Sequence, residues 1–402
     1  MKTRRQTVSE NPLTITRRNT RPDNERKLIA DPVDLIIEIL ARLPAKSIAR
    51  CRCLSKLCDS TLRLPYFTEL FLTTSSARPQ LLFACQKHGK LFFFSSPQPR
   101  NPDENSSPIV ADYHMKLSVD GPVYEMNGIV HGLVCLIYNT RIPKGKTEKV
   151  QVICNPSTGQ SLPLPKVRTK RVTVVSYLGY DPVDKKYKVL SMTWLTLGNQ
   201  VVCGEHQILT LGTPKLSWRM IECCIPHDLP HKHICIDGVL YYPATNRSSV
   251  VNMIVCFDVR SETFKSITVV GAVYRAVRDG HMINYNGKLG LLVCEGSWFV
   301  DGSLELWVLE EIEKQVWSEH AYVFPPLWKD IVGTSCSRFV GVTRTNEIVF
   351  FFERMMHSCV IYCNLERKTI VRVGIDGFES LKNRMVHIFL DHVENVNLGL
   401  AF

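Results

Sequence analysis

Residues 31–58, DPVDLIIEILARLPAKSIARCRCLSKLC, constrain this chain most. Two short amphipathic patterns meet at Leu43-Pro44, in a block too small to bury a core by itself. Asp31 stands where an N-cap would accept the first-turn N–H groups, and Pro32 follows at the position where a missing N–H is harmless. Asp34 adds negative charge near the positive end of the helix dipole. Leu35, Ile36, Ile39, Leu40 and Leu43 then recur at spacings of three and four, with Glu38 and Arg42 on the polar side. Pro44 ends the helix, because the residue before a proline is pushed towards extended backbone. The spacing predicts a second helix through Ile48, Cys51, Leu54, Cys58 and Leu62, with Lys46, Arg50, Arg52 and Lys56 on its opposite face.

In this order, Pro32, Asp34-Leu35, Glu38-Ile39-Leu40, Arg42-Leu43-Pro44, Lys46-Ser47, Arg50, Arg52-Cys53 and Ser55-Lys56 resemble the F-box of plant F-box proteins. That module binds the Skp-type adaptor of SCF (Skp–cullin–F-box) ubiquitin ligases. The resemblance implies adaptor contacts at Pro32, Leu35, Ile36, Ile39, Leu40, Leu43, Pro44, Ile48 and Leu54. Three positions depart from the pattern: Asp31 where an apolar residue is usual, Cys51 where Phe is usual, and Cys58 where Trp is usual. Loss of a Trp from an interface or small core implies a weaker grip on the adaptor.

With 402 residues the chain has room for a small N-terminal module and a domain of about 300 residues. The formal net charge is +11, and much of the excess lies in residues 1–28, where Arg4-Arg5, Arg17-Arg18 and Arg26-Lys27 sit among Asn, Thr and Pro. Such a segment has little to bury and is expected to be a disordered basic arm. No run approaches the roughly 18 apolar residues of a membrane span, and the N-terminus lacks an apolar signal core. The expected location is intracellular, in the nucleus, the cytoplasm or both. Fifteen cysteines in a chain that is 45% hydrophobic read as reduced thiols; Cys135, Cys154, Cys256 and Cys294 sit inside apolar runs.

The texture changes after the helices. The F-box is assigned to 29–72, a linker to 73–80 and an all-β domain to 81–402. Two turn types recur there. One opens an apolar strand: His88-Gly89, Asp237-Gly238, Asn286-Gly287 and, without glycine, Asn346-Glu347. The other places an acidic or amide residue before polar ones: Asn155-Pro156-Ser157, Asp181-Pro182, Asp258-Val259-Arg260-Ser261 and Asn364-Leu365-Glu366. Asp258, Glu311 and Asn364 lie 53 residues apart, close to the period of about 50 of kelch-like blades. A β-propeller is therefore expected, with a β-sandwich as the alternative. Asn155 and Asp181 are only 26 apart, which leaves the blade number open. In order, Tyr66–Phe71, Gly89–Phe93, Asn155–Gly159, Gly179–Pro182, Leu216–Arg219, Ile236–Tyr242, Phe257–Glu262 and Leu306–Glu310 resemble the F-box-associated interaction domain of the same plant family.

Catalytic signatures are missing: there is no Gly-rich phosphate loop, GxSxG, HExxH or EF-hand loop. Cys223, Cys224, His227, His231, His233 and Cys235 fall within thirteen residues. Thiolates and imidazoles are zinc ligands, but the spacing fits no finger pattern. With Pro226 and Pro230 it reads as an exposed loop with incidental histidines, and no metal or cofactor is expected. Lys166, Arg168, Lys170 and Arg171 are read as charges guarding a strand edge. The resemblance implies a non-catalytic adaptor subunit that holds a Skp-type adaptor, and through it a cullin, while the β domain captures a protein substrate whose contact residues are unknown. The competing readings are a scaffold without ligase function and a nucleic-acid-binding regulator using the basic segments.

Overall fold

The computed structural model describes residues 32–397 apart from 104–105, 120, 143–145, 170–172, 198–199, 203, 229–231, 247–250, 295–302, 325–327, 329–336, 353–357 and 378–385. The basic arm and the Asp31 cap lie outside the described residues. Four helices come first: α1 (Pro32–Ala41), α2 (Ala45–Arg52), α3 (Lys56–Leu62) and α4 (Pro65–Ser76). Pro32 opens α1 as the sequence implies. The single second helix expected from the spacing is instead two. Ser55 turns to extended backbone, and its hydroxyl accepts the Cys58 N–H at 3.0 Å, starting α3 afresh. The expected 73–80 linker is helix as far as Ser76 and strand from Gln80. Phe67 and Phe71, one turn apart on α4, are fully buried and pack with Ile37, Leu40, Ala41, Ala45, Ile48 and Leu62.

Beyond α4 the chain forms a six-bladed β-propeller. Blade 1 runs Val386–His392, Gln80–Lys87, Lys90–Pro97, Asp112–Ser118; blade 2 runs Val123–Val130, Leu133–Ile142, Lys146–Asn155, Gln160–Pro163. Blade 3 comprises Thr173–Asp181, Lys186–Leu197, His206–Thr210 and Arg219–Ile221, with Gln200–Val202 extending its second strand; blade 4 comprises Ile234–Ile236, Val239–Asn246, Val251–Asp258 and Phe264–Thr268. Blade 5 is His281–Tyr285, Lys288–Val293, Ser303–Glu311, Val316–Val323, and blade 6 is Ser337–Val342, Glu347–Phe352, Ser358–Asn364, Thr369–Asp376, with Ile109–Val110 added in parallel. Helix α5 (Gly271–Asp279) interrupts the all-β expectation between blades 4 and 5.

The sandwich alternative fails on where the core lies. Six apolar clusters sit between consecutive blades, including one that closes the ring between blades 6 and 1. The second strand of each blade is buried on both faces, so its apolar run is continuous rather than alternating. In Gln80–Lys87, Leu81, Phe83 and Cys85 pack towards blade 6 while Leu82 and Ala84 pack towards blade 2. Cys85, Cys154, Cys256 and Cys363 are buried thiols in these layers, where burial raises the Cys85 pKa to about 11 and disfavours the reactive thiolate.

Both turn types recur at corresponding places, with one exception. His88-Gly89, Asp237-Gly238 and Asn286-Gly287 pair two left-handed residues between the first two strands that the chain enters in their blades. Asn155, Asp258 and Asn364 join third to fourth strands, each carboxylate or amide oxygen accepting an N–H two or three residues on. Asp181 uses the same chemistry at the first hairpin of blade 3. That difference of place explains the short 26-residue interval.

The last strand, Val386–His392, pairs with Gln80–Lys87 and closes the ring. The chain then runs on as a strap, with Val393, Glu394, Asn395 and Val396 all buried. The Asn395 amide donates to the His131 carbonyl at 2.8 Å and to the Tyr187 hydroxyl at 3.0 Å, while Asn155 donates back to the Asn395 carbonyl at 3.0 Å. Gly132 lets the strap approach: a Cβ there would lie 2.3 Å from the Val393 carbonyl oxygen, and its φ is +82°. Gly132→Ala should therefore destabilise beyond the about 1 kcal/mol or more of a left-handed non-glycine residue. Gly212→Ala is the control, since φ is +76° there but no atom lies within 4 Å of the added carbon. Denaturant titrations should rank Gly132→Ala clearly below Gly212→Ala; equal losses would remove the strap as the constraint.

Candidate functional site

The helical module turns one face of α1 inward and leaves the other bare. Ile37, Leu40 and Ala41, at helical spacing, enter the module core. Leu35, Ile36 and Ile39 remain 51%, 46% and 60% exposed. The three side chains form a contiguous apolar face on a short helix, which is what makes it the candidate site. Leu54 and Leu57, around the start of α3, are also exposed.

The nine residues expected to touch an adaptor thus separate. Pro32 opens α1, Leu35, Ile36 and Ile39 form its open face, and Leu54 is exposed in the break between α2 and α3. Pro44 is exposed in the extended N-cap position of α2. Leu43 is half-buried against the module core. Leu40 and Ile48 are corrections: at 7% and 2% exposure they belong to the interior, because α4 supplies Phe67 and Phe71 to cover them. The apolar spacing that predicts the helices ends at Leu62, within the 29–72 assignment, so it does not announce this fourth helix. Ile37 was likewise missed, although its spacing to Leu40 and Ala41 is helical. Cys51, one of the departures from the family pattern, packs at the edge of the same core.

The strap holds this module on the ring. Val396 inserts into the helical core, and the Glu394 carboxylate accepts the Ala45 N–H at 3.1 Å. Pro44 provides no side-chain cap, so a glutamate 349 residues away satisfies the first turn of α2. Arg78 donates to the Arg42 and Ala41 carbonyls just beyond and at the end of α1. Lys46 reaches the Tyr113 carbonyl of blade 1 at 2.6 Å, Arg344 the Ser76 carbonyl at 3.2 Å, and Lys185 pairs with Glu69 at 2.5 Å.

The Cys/His run is not an exposed loop with incidental histidines. His227 is 3% exposed; its Nδ1 lies 2.8 Å from the Ile225 carbonyl and its Nε2 3.4 Å from the Tyr242 hydroxyl. His206, outside the run and missed by the sequence reading, packs against it with ring centroids 5.2 Å apart. Burial, then the neighbouring His227, lowers the His206 pKa to about 3, and burial lowers that of His227, so both surroundings favour the neutral ring. His233 instead stacks on Tyr177 at 3.8 Å, Cys224 is exposed, and His231 lies outside the described residues.

Of the basic run, the two described members do not sit on a strand. Lys166 and Arg168 lie in the connection between blades 2 and 3, where Lys166 pairs with Glu148 at 2.6 Å; residues 170–171 lie outside the described residues. Beside the strap, a cleft of about 410 Å³ is lined by Leu133, Lys185, Tyr187, Leu211, Pro214 and Asn397, among others. No described helix is long and apolar enough to cross a membrane.

Burial raises the Glu394 pKa above that of a free glutamate, against the opposing pull of the Ala45 N–H, Arg78 and Lys46. A raised folded-state pKa contributes stability that is complete below the unfolded value and lost as pH rises through the folded one. Glu394→Gln keeps an oxygen for Ala45 without the charge. Its stability relative to wild type should therefore improve as pH rises from about 4 to about 7. Parallel melting curves across that range check the sign; a constant difference would refute it.

Residues 32–69 match the F-box domain, and residues 80–393 match the F-box associated beta propeller domain. Three proteins of Arabidopsis thaliana are similar along their length. F-box protein At5g65850 is 50% identical over 99% of both chains. F-box protein DOR is 51% identical over 99% of this chain and all of its own. F-box protein At3g49450 is 40% identical over 99% of both.

Proposed function

The chain belongs to the plant F-box proteins that carry an F-box-associated β-propeller, and from that premise we propose that it is the substrate-recognition subunit of an SCF-type ubiquitin ligase. The observation that carries this reading is the open face of Leu35, Ile36 and Ile39 on a helix whose other side is packed. That face docks on a Skp-type adaptor, which connects the chain to a cullin scaffold. The propeller captures a protein substrate.

The mechanism is proximity. Adaptor and substrate are held on one body, so activated ubiquitin is brought to substrate lysines at high effective concentration, and this chain supplies no reacting group. The strap gives that geometry a physical basis, because Val396 and Glu394 couple α1 and α2 to the ring-closing strand. Orientation between the two partners then follows from the fold rather than from a flexible linker. The site of action in this reading is intracellular, in the nucleus, the cytoplasm or both.

Leu35→Asp and Ile39→Asp place charge on exposed positions, so the melting temperature should stay near wild type. Desolvating that charge against the adaptor should cost about 2–4 kcal/mol, roughly a 30- to 1000-fold loss of affinity. Co-purification with a Skp-type adaptor reads this directly. In cells, a propeller partner should gain half-life when Leu35→Asp replaces the wild-type chain, since it is bound without being delivered. A wild-type chain that fails to bind any Skp-type adaptor would defeat the proposal.

A further inference from the structure

A group of potential metal ligands lies at the junction of blades 3 and 4. His206 opens the third strand of blade 3, and Cys223 and His227 lie in the segment leading from blade 3 to blade 4. Each offers one ligand atom, and the three atoms lie within 4.8 Å of one another. A tetrahedral zinc with Zn–N near 2.05 Å and Zn–S near 2.3 Å needs ligand separations of about 3.3–3.6 Å. Closing the set therefore requires side-chain shifts of about an ångström.

The ring orientations are those of metal-binding imidazoles. The His227 Nδ1 faces the Ile225 carbonyl at 2.8 Å, and His206 has a backbone hydrogen bond to Gly204. Such contacts at one ring nitrogen would turn Nε2 to a metal; for His227 that nitrogen now lies 3.4 Å from the Tyr242 hydroxyl, a contact the metal would replace. The Nε2 of His206 is buried with no hydrogen-bond partner among the described residues, on a residue only 3% exposed. A buried polar nitrogen left in this state calls for an explanation, and an ion is one. The surroundings are apolar and aromatic: Trp194, Phe264 and Tyr242 pack against the two rings. Two imidazoles and a thiolate in that setting suit a borderline-soft d¹⁰ cation over calcium or magnesium, which take oxygen ligands.

We propose that His206, Cys223 and His227 form a zinc site that clips the blade 3 to blade 4 connection onto the third strand of blade 3, with a fourth position left to water or an external ligand. Binding releases the thiol proton to solvent as the thiolate takes the metal; no electron is transferred. The clip fixes residues 223–227, which separate two blades of the proposed substrate receptor.

The test uses the full-length chain and zinc alone. After purification and dialysis against zinc, metal analysis should find about one ion per chain. Competition with a chromophoric chelator should show that Cys223→Ser and His206→Gln each weaken binding by more than about 100-fold, above the 10–100-fold expected for loss of an outer partner. Cys224→Ser, changed at the exposed neighbour, should bind as wild type does. Zinc X-ray absorption on the wild-type chain should give one sulfur among nitrogen or oxygen neighbours, a readout that stands even if a variant fails to fold. Binding retained in Cys223→Ser, two or more sulfur neighbours, or no retained zinc would overturn the site and leave two buried histidines beside a thiol.

Discussion

Closure of the ring by the last strand is the interaction on which the rest depends. Val386–His392 pairs with Gln80–Lys87 and buries Val386 and Ile388 with Leu81, Phe83 and the strands of blade 6. A propeller without this seam would expose two apolar faces and the edges that go with them. The strand is contributed by the far end of the chain, so the six blades acquire a common boundary only when nearly all of the chain is in place. The strap that continues from it reaches the His131 turn, Tyr187 and Asn155, tying blades 2 and 3 to the closure as well.

The same segment explains how a small helical module achieves a defined position. Its core contains few residues, and Val396 completes it from outside. Glu394 caps α2 from the strap, and Arg78 binds carbonyls at and just beyond the end of α1, so helix ends that the local sequence leaves uncapped are satisfied by tertiary contacts. Those contacts fix the module, and with it the exposed side of α1, against the ring. In the proposed ligase this rigidity links adaptor position to substrate position.

The helix–propeller division, the left-handed hairpins and the oxygen-capped turns were legible in the sequence because each is dictated by neighbours in the chain. His88-Gly89 needs only its own backbone freedom, and Asp258 needs only the N–H groups that follow it. Cys154 and Cys256 were readable as core residues from the apolar runs around them. The periodicity failed at Asp181, since identical turn chemistry serves a different hairpin in blade 3. It failed again at Leu54, where Ser55 restarts a helix that apolar spacing alone would continue.

By itself, then, the sequence determined the local elements and the family pattern, since hydrophobic period, turn chemistry and caps act over a few residues. Tertiary structure alone decided which apolar residues of the helices stay open: Leu40 and Ile48 are covered by Phe67 and Phe71, while Leu35 and Ile39 are not. It also decided the union of His206 with Cys223 and His227, and of Glu394 with Ala45. Those pairings join segments brought together by blade packing and ring closure, and no short-range spacing encodes the distance between them.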